Sequence, residues 1–253
     1  MMATSNGEVE ESTLNSSGTS STLANIKKPL ELYLVRISPP CRVVWMYLLQ
    51  HNIPHVLIDV NFTADSLDLP DAMRQQAHRE VPLLVDGNVV LFEGPVILNY
   101  LATTYTHHAG FGHGLTTRYV TESLCSWANS ELHRAIGFKY IYPQFLEKYA
   151  LPDHDHNEAM TEHALGDVTK HLETLEKRYL SSNHYLTGGR QTVADLFVAT
   201  VLIQMEWTGF RFKLWPRVET WLARVRHAEF WDTVHVSHKE FVAELERNRF
   251  QFD

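Results

Sequence analysis

Nearly every strand signal in this chain falls before Phe92, and from Leu115 onward the apolar residues recur at helical spacing. A chain divided this way folds as a mixed α/β unit followed by an all-helical one. The polar, Gly- and His-rich stretch 106–114 separates the two patterns and marks the domain boundary. The expected organisation is a polar tail over 1–28, an α/β domain over 29–106 and a helical domain over 114–250.

Within the first unit, Leu30-Glu31-Leu32-Tyr33-Leu34 alternates like a strand. Ser38-Pro39-Pro40 follows, and proline is tolerated in a first helical turn, where its missing N–H would be unpaired anyway. A helix is therefore predicted from Pro39 to about His51, with Val44, Tyr47 and Leu48 on its apolar face. Val56–Val60 reads as the second strand, Asp71–His78 as a short helix and Val81–Val85 as the third strand. Asp86-Gly87-Asn88 then joins it to Val89–Phe92, a strong hairpin signal. A helix over Glu93–Tyr105 closes the unit, with Val96, Ile97, Tyr100 and Leu101 expected on one side. Beyond it, helices are predicted over Leu115–Tyr149, Glu158–Leu180, Thr192–Trp207 and Val218–Arg247.

Charge and composition exclude several function classes. Net charge is −8, and the basic residues are scattered, so a phosphate backbone meets no electrostatic footprint and nucleic acid is not an expected partner. No apolar run reaches the roughly 20 residues that cross a bilayer, so no membrane span is expected. Residues 1–28 are too polar to offset their own ordering entropy and lack the features of a secretory signal. Cys41 and Cys125 have no metal or redox spacing, which suits a reducing compartment. The 15 histidines are scattered singly or in expected loops such as His154-Asp155-His156, so no metal site is expected.

Four places carry chemistry. Ser38 lies where the first strand meets the first helix, a position whose unpaired N–H groups and dipole favour an anion. Its hydroxyl can donate to a thiolate and keep that sulfur nucleophilic, or it can serve only as the helix N-cap. Val81-Pro82 enters a strand with a proline that cannot donate to the ladder. A cis bond there would leave the Val81 backbone to pair with a peptide ligand, and an ordinary trans edge proline is the other reading. Glu93-Gly94 opens the next helix, where backbone amides favour carboxylates and Glu93 can hold an ammonium group or simply suit the dipole. Thr192-Val193-Ala194-Asp195 is a capping-box variant before an apolar run, and its expected role is structural.

These features, in this order and spacing, resemble the cytosolic glutathione transferases, the theta class most closely, over about 29–242. The most specific pieces are Leu30–Leu34 leading into Ser38-Pro39-Pro40-Cys41-Arg42, Val81-Pro82, Glu93 with Val96–Leu101, Leu186-Thr187-Gly188 before Thr192–Leu196, and Trp215–Val218 through Trp221–Val225. The resemblance implies a thioredoxin-like domain plus an all-α domain, with glutathione as co-substrate and no prosthetic group. It also implies that Ser38 activates the thiol, Val81 pairs with the cysteinyl backbone ahead of cis-Pro82, and Glu93 meets the γ-glutamyl end. A small hydrophobic electrophile would lie against the second domain, where the long helix with Trp127, Arg134 and Phe138 resembles part of the apolar wall, although core packing explains Trp127 and Phe138 equally well. A cytoplasmic, detoxifying homodimer is the implied whole.

Three positions depart from the pattern of that class. Gly94 stands where a serine usually follows the acidic residue, leaving only its backbone N–H to offer. Glu80 replaces a lysine and puts a negative charge near the expected glycine carboxylate. Leu67 falls where a histidine usually contacts the same end. A binding or interaction module that has kept the fold and lost the chemistry is therefore a second expectation. A disulfide oxidoreductase using Cys41 is a third, disfavoured because no partner cysteine stands nearby.

Overall fold

A computed structural model describes residues 28–61 and 69–249 of the chain. The expected tail (Lys28 aside) and Leu67 lie outside the described residues. The elements run β1 (Leu30–Leu34), α1 (Pro39–Gln50), β2 (His55–Asp59), α2 (Asp71–Arg74), β3 (Leu83–Asp86), β4 (Val89–Phe92) and α3 (Gly94–Tyr105). The four strands form one sheet in the order β2-β1-β3-β4. β1 pairs parallel with β2 and antiparallel with β3, and β3 pairs antiparallel with β4.

Strand alternation buries both faces of this sheet. Leu30, Leu32, Leu34 and Leu84 point into the main core beneath α1 and α3. Tyr33 and Leu83 point the other way, into a smaller cluster with Val60 and Met73. Most of α1 is buried, from Pro39 through Leu48, because the helix is packed on the sheet and also on the helical half of the molecule.

The helical half contains α4 (Leu115–Trp127), α5 (Tyr142–Phe145), α6 (His154–Thr174), α7 (Val193–Leu202), α8 (Pro216–Val225), α9 (Trp231–Val234) and α10 (Val236–Arg249). α4 runs into α5 through wider π turns at Ala128–Leu132 and Arg134–Ile141. Short 3-10 segments follow at Glu147–Tyr149 and Ile203–Thr208. The apolar α7, buried along its whole length, lies at the centre against α1, α4 and α8.

Several expected boundaries move. β2 starts one residue earlier than expected, and β3 begins at Leu83, two residues after Val81. α2 stops at Arg74, so the stretch to His78 is not helical. His154-Asp155-His156 is not a loop: it is the first turn of α6, because Asp153 caps that helix by accepting from the His156 N–H at 2.9 Å. The helix expected over Val218–Arg247 is broken between Val225 and Trp231, where Phe230 takes a left-handed backbone, φ 62°. Val96 does not join the buried face of α3. It is exposed, and Leu98 and Ala102 are buried instead beside Ile97 and Leu101.

The capping box is present. The Thr192 N–H donates to Asp195 Oδ2 at 2.8 Å, and Asp195 Oδ1 accepts from the Leu186 N–H at 2.8 Å and from Trp221 Nε1 at 2.9 Å. One buried carboxylate thus ties the start of α7 to the preceding loop and to α8.

Candidate active site

A cavity of about 890 Å³ opens between the sheet domain and the long α4–α5 helix. Ser38, Glu80, Val81, Pro82, Glu93 and Gly94 all line it. Thr192 and Asp195 do not, which agrees with their structural role.

Ser38 occupies the N-cap position of α1, with φ −73° and ψ 125°, yet its side chain makes no capping bond. Its carbonyl accepts from the Arg42 N–H at 3.1 Å, and its N–H donates to Val35 O at 3.0 Å. The hydroxyl is half-buried at the cavity edge. Cys41, just inside the helix, is fully buried, and burial pushes its thiol up to about 11, against the opposing pull of the nearby Ser38 hydroxyl. A thiol so far above neutral pH stays protonated, which removes the disulfide chemistry considered for it.

The Val81-Pro82 peptide is cis, and Val81 precedes the first paired residue of β3. Glu93 caps α3 with a left-handed backbone, φ 68°, a strained choice for a residue with a side chain. Its carboxylate accepts from Asn129 Nδ2 at 2.8 Å, so one hydrogen bond links the sheet domain to the long helix across the cavity.

Gly94 has a packing reason that the sequence does not reveal. A Cβ there would stand 3.1 Å from the Cβ of Pro40 and 3.5 Å from Cζ of Phe197. The start of α3 lies too close to α1 and α7 for a serine to enter freely. The missing hydroxyl is thus tied to the contact between the two halves of the molecule.

The second wall of the cavity comes from the π-wound stretch and the segment after it. Asn129, Ser130, His133, Arg134, Phe138 and Tyr142 line it, joined by Leu146, Lys148, Tyr149 and Trp207. Phe138 and Tyr149 meet edge to face at 5.6 Å, and Phe138 and Tyr142 at 5.2 Å, giving an apolar aromatic surface. Trp127, expected on this wall, is not among the lining residues: it packs against His171 instead.

Asn129, His133 and Tyr142 were not singled out from sequence. His133 is buried, its Nε2 pairs with the Tyr142 hydroxyl at 2.9 Å, and Gln204 Nε2 donates to the same oxygen at 2.8 Å. Burial, helped by the nearby Arg42 charge, brings His133 down to about 4, so it is neutral at physiological pH. The available signal was a polar series, Ser126, Asn129, Ser130 and His133, at helical spacing along one face of the predicted helix.

Residues 32–109 match the family model for the glutathione S-transferase N-terminal domain, and residues 157–224 match that for the glutathione S-transferase C-terminal domain. The chain is 30% identical to glutathione S-transferase theta-3 of Mus musculus over 202 residues, covering 78% of this chain and 81% of that one. It is 30% identical to glutathione S-transferase theta-1 of Homo sapiens over 217 residues, covering 83% and 88%. Among solved structures, the apo form of human glutathione-S-transferase T1-1 superposes with a TM-score of 0.70 at 28% identity, covering 82% of this chain and 88% of that one. A delta-class glutathione transferase of Nilaparvata lugens shares the fold, with a TM-score of 0.71 at 20% identity.

Proposed function

Because the chain belongs to the glutathione S-transferase family, we propose that Ser38 stabilises the thiolate of glutathione for conjugation to small electrophiles or reduction of organic hydroperoxides. The protein is a theta-like glutathione transferase with glutathione as co-substrate. The sulfur attacks an electrophilic carbon, forming a C–S bond while the leaving group departs with its electron pair. With a hydroperoxide the sulfur attacks the terminal oxygen, the O–O bond breaks to release the alcohol and leave glutathione sulfenic acid, and a second glutathione displaces water from it to form the disulfide.

The observation that carries this reading is the meeting of Ser38, Val81, Pro82, Glu93 and Gly94 on one cavity whose opposite wall is aromatic. Ser38 donates to the sulfur beside the N-terminus of α1, where the dipole adds to the stabilisation. The Val81 backbone pairs with the cysteinyl residue, as an edge accepts a strand. Glu93, steadied by Asn129, receives the γ-glutamyl ammonium, and the Gly94 N–H at the head of α3 receives its carboxylate. Phe138, Tyr142 and Tyr149 receive the hydrophobic electrophile. The glutathione-binding unit is 29–106 and the helical unit is 114–250.

Steady-state assays with an aryl halide and an organic hydroperoxide test this assignment. Wild-type protein turns over at least one of them, and Ser38→Ala loses about 10²-fold in kcat with KM for glutathione changed far less. Equal turnover by the variant removes Ser38 from the chemistry. Glu80, an anion on the same cavity, favours the second reading, a binding module that has lost glutathione. A folded protein with no turnover and no glutathione affinity is what that reading requires.

The working form is a homodimer in the cytoplasm, serving detoxification. Phe92, Tyr119 and Val120 are exposed apolar residues on β4 and α4, two elements that both contact α3. No helix of the described residues is long and apolar enough to cross a membrane. Light scattering at micromolar concentration gives the mass of two chains, and a monomer contradicts the assignment.

A further inference from the structure

Arg42 is fully buried in α1, one turn beyond Ser38, and its N–H donates to the Ser38 carbonyl. Its guanidinium makes a single long bond, from Nη2 to Thr200 O at 3.5 Å, while Nε and Nη1 have no partner. Among the described residues no carboxylate stands within ion-pair distance of it. A buried guanidinium of this kind normally sits against a carboxylate, because an uncompensated buried charge is strongly destabilising. Packing alone gives no reason for a cation here.

The groups facing it leave its charge unneutralised. Cys41 lies beside it on α1, His133 and Tyr142 face it from the long helix, and His235 and His238 face it from the C-terminal helices. All five are neutral at physiological pH. The two C-terminal histidines are brought down by burial to about 2 and about 4 respectively. Glu206 is the one nearby anion among these groups, and it is already engaged by Arg226 and by His238 at 3.2 Å. Burial brings Arg42 itself down to about 9, still protonated at neutral pH. Its field reaches two residues of the cavity wall, His133 and Tyr142.

We propose that Arg42 is a positioning residue of the transfer reaction: its unneutralised charge, behind the cavity wall and one turn from Ser38, stabilises the ionised sulfur of bound glutathione. The inference rests on the Ser38 reading given above. Ser38 supplies a hydrogen bond to the sulfur, and Arg42 supplies the long-range charge that a single hydroxyl lacks. A charge in a low-dielectric interior acts over several ångströms without contact.

The test is the ultraviolet absorbance of the bound thiolate, titrated against pH for wild type, Arg42→Lys and Arg42→Met. The expected outcome is a midpoint about one pH unit higher in Arg42→Met and within a few tenths of wild type in Arg42→Lys, with KM for glutathione little changed and kcat lowered at neutral pH. If the methionine variant does not fold, Arg42→Gln removes the same charge and reads the same shift. An unchanged midpoint in the folded, uncharged variant overturns the role of Arg42 while leaving Ser38 in place. A wild-type midpoint equal to that of free glutathione overturns the Ser38 reading and Arg42 with it.

Discussion

Asp195 shows what one side chain does for this fold. Its carboxylate collects the Leu186 and Thr192 N–H groups, the Thr192 hydroxyl and Trp221 Nε1, all in a fully buried setting. Asp195→Ala strands those donors away from water and is expected to cost about 3 kcal/mol in urea unfolding. A loss under about 1 kcal/mol would place the stability of α7 elsewhere. Thr192 and Asp195 could be read from sequence because cap chemistry is local, three residues apart. Ser38, Val81, Pro82 and Glu93 were singled out by equally local signals, each at the end of its own element, and the fold brings all four to one cavity. His133, Tyr142, Asn129 and the charge state of Arg42 could not, because their meaning comes from what packs against them.

At the scale of elements, β1 follows from alternation, β4 from the Asp86-Gly87 turn before it and α1 from the prolines at its start, all short-range effects. The winding of the long helix does not. Its π turns bring Asn129, His133 and Phe138 to the cavity, and wide turns of this kind often mark functional stretches. Gly137 permits that geometry: a Cβ there would lie 2.9 Å from Cδ2 of His133 and 3.0 Å from the Tyr142 ring. Alanine normally gains about 1 kcal/mol over glycine in a helix. Here the clash wins, since forcing apart a packed ring pair costs roughly 1–3 kcal/mol. Gly137→Ala is therefore expected to lower stability by about 1 kcal/mol and to weaken the His133–Tyr142 bond, seen as a shift of the His133 ring resonances. A more stable variant with unshifted resonances would contradict this. Gly94 follows the same logic at the start of α3, where closeness to Pro40 accounts for a residue that sequence comparison alone marks as a loss.

For the whole molecule, the division into an α/β unit and a helical unit was legible because strand patterns alternate with helical ones up to Phe92 and only helical spacing continues beyond Leu115. How the halves meet was not, since that depends on close contacts such as Gly94 with Phe197. The joined core also sets the response to acid. His133 and His238 are brought down by burial to about 4 from an ordinary 6.5, and His235 to about 2. A histidine depressed in the fold contributes stability above its unfolded value and loses it as pH falls. The melting temperature is thus expected to hold above about pH 6.5 and to fall steadily between there and pH 4. A flat profile over that window would mean that these rings are open to water.

The claim on which all of this converges is that the cavity binds glutathione and that Ser38 ionises it. Calorimetric titration of the purified protein with glutathione, beside Ser38→Ala, tests it directly. Millimolar or tighter binding by both proteins is expected, with proton release at neutral pH from the wild type and much less from the variant. No detectable heat from the folded wild type would contradict it and leave Glu80 as the sign of a site that has given glutathione up.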